Sequence, residues 1–327
     1  MFYLGIDVAK SKLDCYLLLA ETSGKGKAKV VPNSADGLAD LLAWLTKNHV
    51  HYDQLHAVME ATGVYHELAA YRLHEAGIAV SIANPAQVKY FGKSLAVRTK
   101  TDGVDSLVLA RYAATLKPEL WIPPTAQARA LQGLLARREA IEQDLLREKN
   151  RQEKALSTQT SPLIHQSLVA SIAFLSAQKA QLQQQINDHI DHDSALKNDF
   201  DLLQSIPSIG PQSGANMLAV MHTHHFNSAE QLAAYLGLVP IEKQSGSSVL
   251  GRPRLSKNGP ARLRGVVYMA AMVGIKHNPH IKALYERLLQ KGKSKMSALG
   301  AAMRKLVHLC FGVLKTQKKY QAEYQNA

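Results

Sequence analysis

The run Tyr3-Leu4-Gly5-Ile6-Asp7-Val8-Ala9 sets one carboxylate into a short, apolar, β-type stretch. An ionised Asp inside a packed strand is costly unless a cation, a partner or several donors compensate it. Taken alone, Asp7 reads as a strand-end residue that caps the next turn. Three further acids change that reading. Glu60 closes Leu55-His56-Ala57-Val58-Met59-Glu60, and Asp102 and Asp105 stand in Thr101-Asp102-Gly103-Val104-Asp105. Four carboxylates converging on one spot repel one another unless divalent cations neutralise them, so Asp7, Glu60, Asp102 and Asp105 form a candidate metal site.

Outward from Asp7, the first 33 residues read as three strands joined by short turns at Lys10-Ser11-Lys12 and Ser23-Gly24-Lys25-Gly26-Lys27, an antiparallel meander. An amphipathic helix follows over 36–48, with Leu38, Leu41, Leu42 and Leu45 at helical spacing. Then come a strand at 55–59, a helix over 65–75 ended by Gly77, a strand at 78–83, a helix opened by Pro85 and a helix over 101–116. The order βββαβαβα is that of the ribonuclease-H-like fold, in which the first and fourth strands lie side by side at the centre of the sheet. Asp7 and Glu60 would then be neighbours. Asp102 and Asp105, three apart in a helix's first turn, share a face. For that pair alone, dipole-complementing caps and metal ligands are equally good readings.

Beyond the Pro-rich joint of Pro118, Pro123 and Pro124, two polar segments carry narrow apolar stripes, 125–157 and, past Pro162, 163–189. Such stripes suggest an antiparallel coiled-coil hairpin, used for oligomerisation, as an arm along nucleic acid, or as a solvated spacer. Leu203-Gln204-Ser205-Ile206-Pro207-Ser208-Ile209-Gly210-Pro211 then resembles a helix-hairpin-helix turn, which aims backbone N–H groups at a phosphate; an ordinary helix connection would use the same residues. His222, His224 and His225 cluster near a helix end and read as terminal surface residues rather than ligands.

The net charge of +13 is concentrated. From Lys243 to Lys305 there are fourteen Lys and Arg against one acid, Glu286, a net of +13, while the remainder holds 25 of each sign. A face this uniform is the footprint of a polyanion, DNA or RNA. Within it, Gln244-Ser245-Gly246-Ser247-Ser248 leads through Arg252, Arg254 and Lys257 into a helix bearing Arg262 and Arg264, a loop or frayed hairpin with almost no apolar anchor. Its Gly and Ser content is compatible with plain flexibility. It also suits attack on a phosphodiester, because the cations can stabilise charge on the phosphoryl oxygens. These five cations are the candidate nucleic-acid contacts. Cys15 and Cys310 lack ligand spacing and read as reduced thiols. With no run of about 18 apolar residues and no leader-like segment, the expectation is a cytoplasmic protein without membrane partners.

Gly5-Ile6-Asp7, Glu60-Ala61-Thr62-Gly63-Val64-Tyr65, Asn84-Pro85, Lys100-Thr101-Asp102-Gly103-Val104-Asp105, Ser205-Ile206-Pro207-Ser208-Ile209-Gly210 and Ser245-Gly246-Ser247-Ser248 together resemble the DEDD transposases of the IS110 insertion-sequence family, the bridge-RNA-guided recombinases related to the Piv invertases. The resemblance runs from residue 3 to about residue 315. It implies an α/β, RuvC-like N-terminal domain with a mixed sheet (1–117), a linker and coiled-coil insertion (118–195), and a mainly helical C-terminal transposase domain (196–327). It implies Mg²⁺, or Mn²⁺, on Asp7, Glu60, Asp102 and Asp105, and Ser245 as nucleophile. It further implies a covalent phosphoserine, donor and target DNA, a non-coding bridge RNA, and a dimer that becomes a tetramer in the synaptic complex at the bacterial nucleoid. Gln244 stands where some relatives carry an acid.

Three rival readings follow from the residues. The acids could activate water in a RuvC-like nuclease with Ser245 as loop filler, or act as caps in a non-catalytic scaffold. A sugar-kinase or actin-like ATPase can begin with Gly-Ile-Asp, but no internal repeat supplies its second phosphate hairpin.

Overall fold

The computed structural model describes residues 1–19, 25–61, 63–95, 101–158, 160–242, 244–245, 249–250 and 254–323, with backbone alone at 244, 245, 249 and 250. The chain divides into two compact units, Met1–Pro123 and Pro124–Ala327.

The first unit begins with the meander: β1 (Phe2–Val8), β2 (Lys12–Leu18) and β3 (Gly26–Pro32). Helix α1 (Ala35–Lys47) is capped by Ser34, whose hydroxyl accepts from the Gly37 amide. Then come β4 (Leu55–Glu60), α2 (Glu67–Glu75), β5 (Ala79–Ala83), α3 (Pro85–Ser94) and α4 (Asp102–Leu116). The strands assemble in the order β3-β2-β1-β4-β5. β1 is antiparallel to β2 and parallel to β4, so the sheet is mixed and β1 and β4 share its centre, as the element order predicts.

The two faces of the sheet differ because successive side chains alternate. Leu4, Ile6, Val8, Leu13, Cys15, Leu17, Ala57 and Met59 face α1 and α2 and make one core with Leu38, Leu41, Leu45 and Leu73. Tyr3, Leu18 and Val58 lie in a second core with Val108, Leu109 and Tyr112 of α4. By the same alternation Asp7, Lys12, Asp14 and Glu60 stand on the α4 face. Gly5 is what lets α4 lie flat there. A Cβ at Gly5 would sit 2.0 Å from the Ser106 carbonyl oxygen and 2.3 Å from the Ala110 nitrogen.

In the second unit, α5 (Ala126–Leu156) and α6 (Pro162–His192) are two 31-residue helices. They run antiparallel. The Arg138 guanidinium donates to Gln183 at 2.5 Å, the Lys179 ammonium to Glu142 at 2.6 Å, and His189 meets the Gln127 carbonyl at 2.9 Å. Only the base of this pair is built into a core, through Leu131, Leu135, Ile186 and Ile190. Toward the turn, Leu156, Leu163, Ile164 and Phe174 are exposed.

The rest of the unit is α7 (Ser194–Gln204), α8 (Pro211–Thr223), α9 (Ala229–Tyr235), α10 (Ala261–His277), α11 (Pro279–Gln290) and α12 (Lys295–Thr316). The two-residue ladders β6 (Pro240–Ile241) with β9 (Arg254–Leu255), and β7 (Gln244–Ser245) with β8 (Val249–Leu250), lie between α9 and α10. The core is carried by Leu203, Ile206, Leu218, Leu232, Leu238, Leu306 and Val307. Helix α12 corrects one expectation. It is long enough, with a mean hydropathy of 1.3, to cross a membrane, but half of that window is buried. Ala298, Leu299, Ala302, Met303, Leu306, Val307, Cys310 and Val313 occupy its buried positions, so its apolar character serves the core. The histidine cluster needs a correction too. His222 is half-buried with its Nε2 2.9 Å from Asp199 Oδ2, and half-buried His224 packs against Phe226 and Tyr235; His225 alone is exposed.

Candidate active site

Asp7 lies at the C-terminal end of β1, and the parallel register Ile6↔Met59 leaves Glu60 beside it one step further on. Across the sheet in the other direction Asp7 is paired with Asp14 of β2. Directly opposed residues of an antiparallel pair project to the same face with Cβ atoms about 5 Å apart. The third contribution comes from above. Because α4 rests on Gly5, its first turn delivers Asp102 and Asp105 to the strand ends that hold Asp7.

The electrostatics record this convergence. The Asp7 carboxyl is raised above its ordinary value, first by burial and then by the charges of Asp105, Asp102 and Asp14, with Lys12 opposing. Both acids sit in the first turn of α4, whose N-cap, Thr101, makes no side-chain capping bond, and Asp102 accepts from the Lys12 ammonium at 2.6 Å. Lys12 also reaches Asp14 at 3.0 Å, and these two bonds hold the ammonium above its ordinary value, the Asp102 bond contributing most.

The donor set is made of carboxylates, hard oxygen ligands that suit a hard divalent cation. The mutual repulsion raising Asp7 is the strain such an ion relieves. Among the described residues no group of three or more His, Cys, Asp or Glu is already spaced to grip a metal, and Lys12 engages Asp102. The residues therefore fit a divalent cation chemically, with an ammonium now neutralising part of the cluster.

Lys12 and Asp14 escaped the sequence reading, which took residue 12 as turn and passed over residue 14. The signal was there. Lys12-Leu13-Asp14-Cys15 alternates polar and apolar residues, and a short turn from Val8 to Leu13 must put Asp14 opposite Asp7.

In the second unit, Ser245 is paired through its backbone with Val249. Gly246, Ser247, Ser248 and Arg252 lie outside the described residues, as do Thr62 and Lys100 of the other motifs. The base of this segment is pinned. Lys257 N–H donates to the Gly237 carbonyl and Ser256 N–H to that of Val239. Gly259, at φ 119°, lies so close that a Cβ would meet the Tyr235 carbonyl at 2.0 Å. Arg264 donates to the carbonyls of Leu236 and Gly259 at 3.3 and 3.2 Å, and Arg262 bonds Glu139 at 2.6 Å and Asn216 at 2.7 Å. Arg264 braces the base of the segment and Arg262 ties α10 to α5 and α8, while Arg254, Lys257 and Arg262 are exposed. The turn before α8 places Ser208 at φ 91°, an unusual conformation for a residue with a side chain.

Known proteins resemble the chain along nearly its whole length. A DEDD-type transposase family model matches residues 4–162, and one described as "Transposase IS116/IS110/IS902 family" matches residues 200–286. The pilin gene-inverting protein of Moraxella lacunata is 33% identical over 321 residues, covering 97% of each chain. An insertion element IS110 protein of Streptomyces coelicolor is 26% identical over 166 residues, 50% of this chain and 40% of that one. Among solved structures, Thermus thermophilus RuvC aligns with 37% of this chain and all of its own, at 18% identity and a TM-score of 0.27, a likeness too slight to bear weight. A chain this similar throughout to a DNA-inverting protein, with both transposase segments present, belongs to the IS110 family of DEDD transposases, enzymes that recombine DNA.

Proposed function

We propose that this transposase breaks and rejoins DNA through Ser245, with Asp7, Glu60, Asp102 and Asp105 holding Mg²⁺ or Mn²⁺. The observation that carries the reading is the gathering of Asp7, Asp102 and Asp105 at one edge of the sheet face on which Glu60 also stands. A divalent ion bound there would polarise the scissile phosphate and steady the leaving oxygen. The Ser245 hydroxyl attacks phosphorus, its proton passing to a neighbouring base. An Oγ–P bond forms, the P–O3′ bond breaks, and the 3′-oxygen leaves as a hydroxyl after taking up a proton. Reversal by a 3′-hydroxyl of the exchanged strand restores DNA and frees the serine. The phosphodiester bond energy is conserved, so no nucleotide cofactor is consumed.

Donor and target DNA are the substrates in this scheme. The basic segment 243–305 supports a polyanion partner, Arg254 and Lys257 being exposed cations that follow the serine in sequence, with Arg252 adjoining them. A bridge RNA that pairs with both DNAs would place sequence choice outside the protein, and a dimer or tetramer would join the acids of one protomer to the serine of its partner. These last elements rest on the family resemblance.

The test is a strand-exchange reaction on DNA carrying the native element ends, with the RNA that copurifies supplied. The wild type should yield a covalent protein–DNA adduct with Mg²⁺ and none with EDTA. Ser245→Ala should lose both adduct and exchange. Retained cutting without an adduct in Ser245→Ala would replace this scheme with hydrolysis by a RuvC-like nuclease, and failure to recover a discrete RNA would remove the guided component alone.

A further inference from the structure

We propose that Lys12 is a positioning residue of the acid cluster: its ammonium, anchored by Asp14, holds Asp102 in the metal-free protein and competes with the divalent cation for that carboxylate. The inference rests on the metal reading above and goes beyond it by assigning roles to two residues outside the quartet.

The geometry is specific. Lys12 and Asp14 are two apart on β2 and so project to the same face, the face that carries Asp7 and is covered by α4. Lys12 Nζ lies 3.0 Å from Asp14 Oδ2 and 2.6 Å from Asp102 Oδ2, so a single cation ties the sheet to the first turn of α4. The three members differ in exposure. The side chain of Asp14 is 10% exposed, whereas those of Lys12 and Asp102 are 42% and 56% exposed. Asp14 is thus the fixed post, and the Lys12–Asp102 link is the one that solvent and an incoming ion can reach.

The physical need is plain. Asp7, Asp14, Asp102 and Asp105 crowd together, and a cluster of that charge would push α4 off the strand ends if no cation were present. Lys12 supplies one positive charge from within the chain. Once a divalent ion takes Asp102, that charge is redundant, and the ammonium opposes the ion over a distance of a few ångströms. A residue with this role stabilises the metal-free protein and weakens metal binding, two effects that share one cause.

Both can be read from the full-length protein with Mn²⁺ as the probe, by electron paramagnetic resonance titration and by thermal unfolding with EDTA or saturating Mn²⁺. Lys12→Met should bind Mn²⁺ roughly fivefold more tightly than wild type, as expected when one nearby unit charge is removed at a partly exposed site. It should melt lower than wild type in EDTA, and the gap should close in Mn²⁺ because ligand binding to the folded state adds stability in proportion to affinity. Lys12→Arg, which keeps the charge, should stay near wild type in both. Should Lys12→Met fail to fold, Lys12→Gln carries the same expectations. Unchanged Mn²⁺ affinity, or a melting gap equal with and without Mn²⁺, would overturn the proposal and leave Lys12 as ordinary surface scaffolding. Wild type that binds no more Mn²⁺ than Asp7→Asn would instead overturn the metal reading itself, and this inference with it.

Discussion

The two units handle their chemistry in opposite ways. The first puts its acids at the ends of central strands and on a helix seated against strand backbone, with two layers of core behind them. The second carries Ser245 on a two-residue ladder between helices, its base pinned by glycines and an arginine and packed on the core through Leu236, Leu238 and Leu255. Like charges drift apart unless a rigid frame holds them, so the carboxylates need the sheet. A neutral hydroxyl needs no such frame to exist, only delivery to its phosphate. The difference bears on the proposed scheme, in which a serine on a small, separately braced element is delivered to acids held on a rigid frame.

The largest effect should come from breaking either half of this division. Asp105→Asn and Ser245→Ala should each lower strand exchange about a thousandfold or more, since on the proposed scheme each removes a group that acts on the reacting phosphate. They should differ in metal binding, which Ser245→Ala keeps and Asp105→Asn weakens. Mixing the two variants should recover part of the exchange if acids and serine act from different protomers; mixtures as dead as the parents would place both halves in one chain.

Next in size is the frame. Gly5→Val forces a side chain into the backbone of α4, and should cost about 3 kcal/mol or more, seen as a lower urea midpoint for the first unit. A matching loss of about 3 kcal/mol from Leu306→Ala, buried in the other core, should appear in the transition of the second unit. Equal shifts of a single shared transition in both variants would mean that the two cores melt together.

The smallest effect concerns Asp7 itself. Folding raises its pKa, so the metal-free protein loses stability as pH climbs from the ordinary value of 3.8 through the raised one, and that loss persists at neutral pH. Asp7→Asn should therefore melt slightly higher than wild type in EDTA at pH 7 and lose the part of the pH dependence above 3.8 that Asp7 contributes. A lower melting point would show that Asp7 gains more from its surroundings than it loses to its neighbours.

Much of this was legible in the residues. The apolar β-type runs of β1 and β4, the glycine and proline stops and the leucine stripe of α1 report local preferences, and these make the element order and so the sheet order readable. The acids Asp7, Glu60, Asp102 and Asp105 stood out as candidates because a carboxylate set into an apolar strand is costly enough to need a reason. The turn at 205–210, with φ 91° at Ser208, was seen as a motif but not as an unusual backbone conformation, since serine carries no such signal.

Other features needed the chain to be folded. That Arg262 and Arg264 brace their own unit, that α12 spends its apolar length on a core, and that Lys12 bridges Asp14 and Asp102 depend on partners 46, 28 and 90 residues away in the cases of Arg262, Arg264 and Lys12. Sequence by itself determined which groups are chemically expensive and on which face of a strand each one stands, because both follow from bonds a few residues long. Only tertiary structure decided which charges meet, because a salt link is set by where two distant backbones are brought to rest, and no local pattern carries that distance.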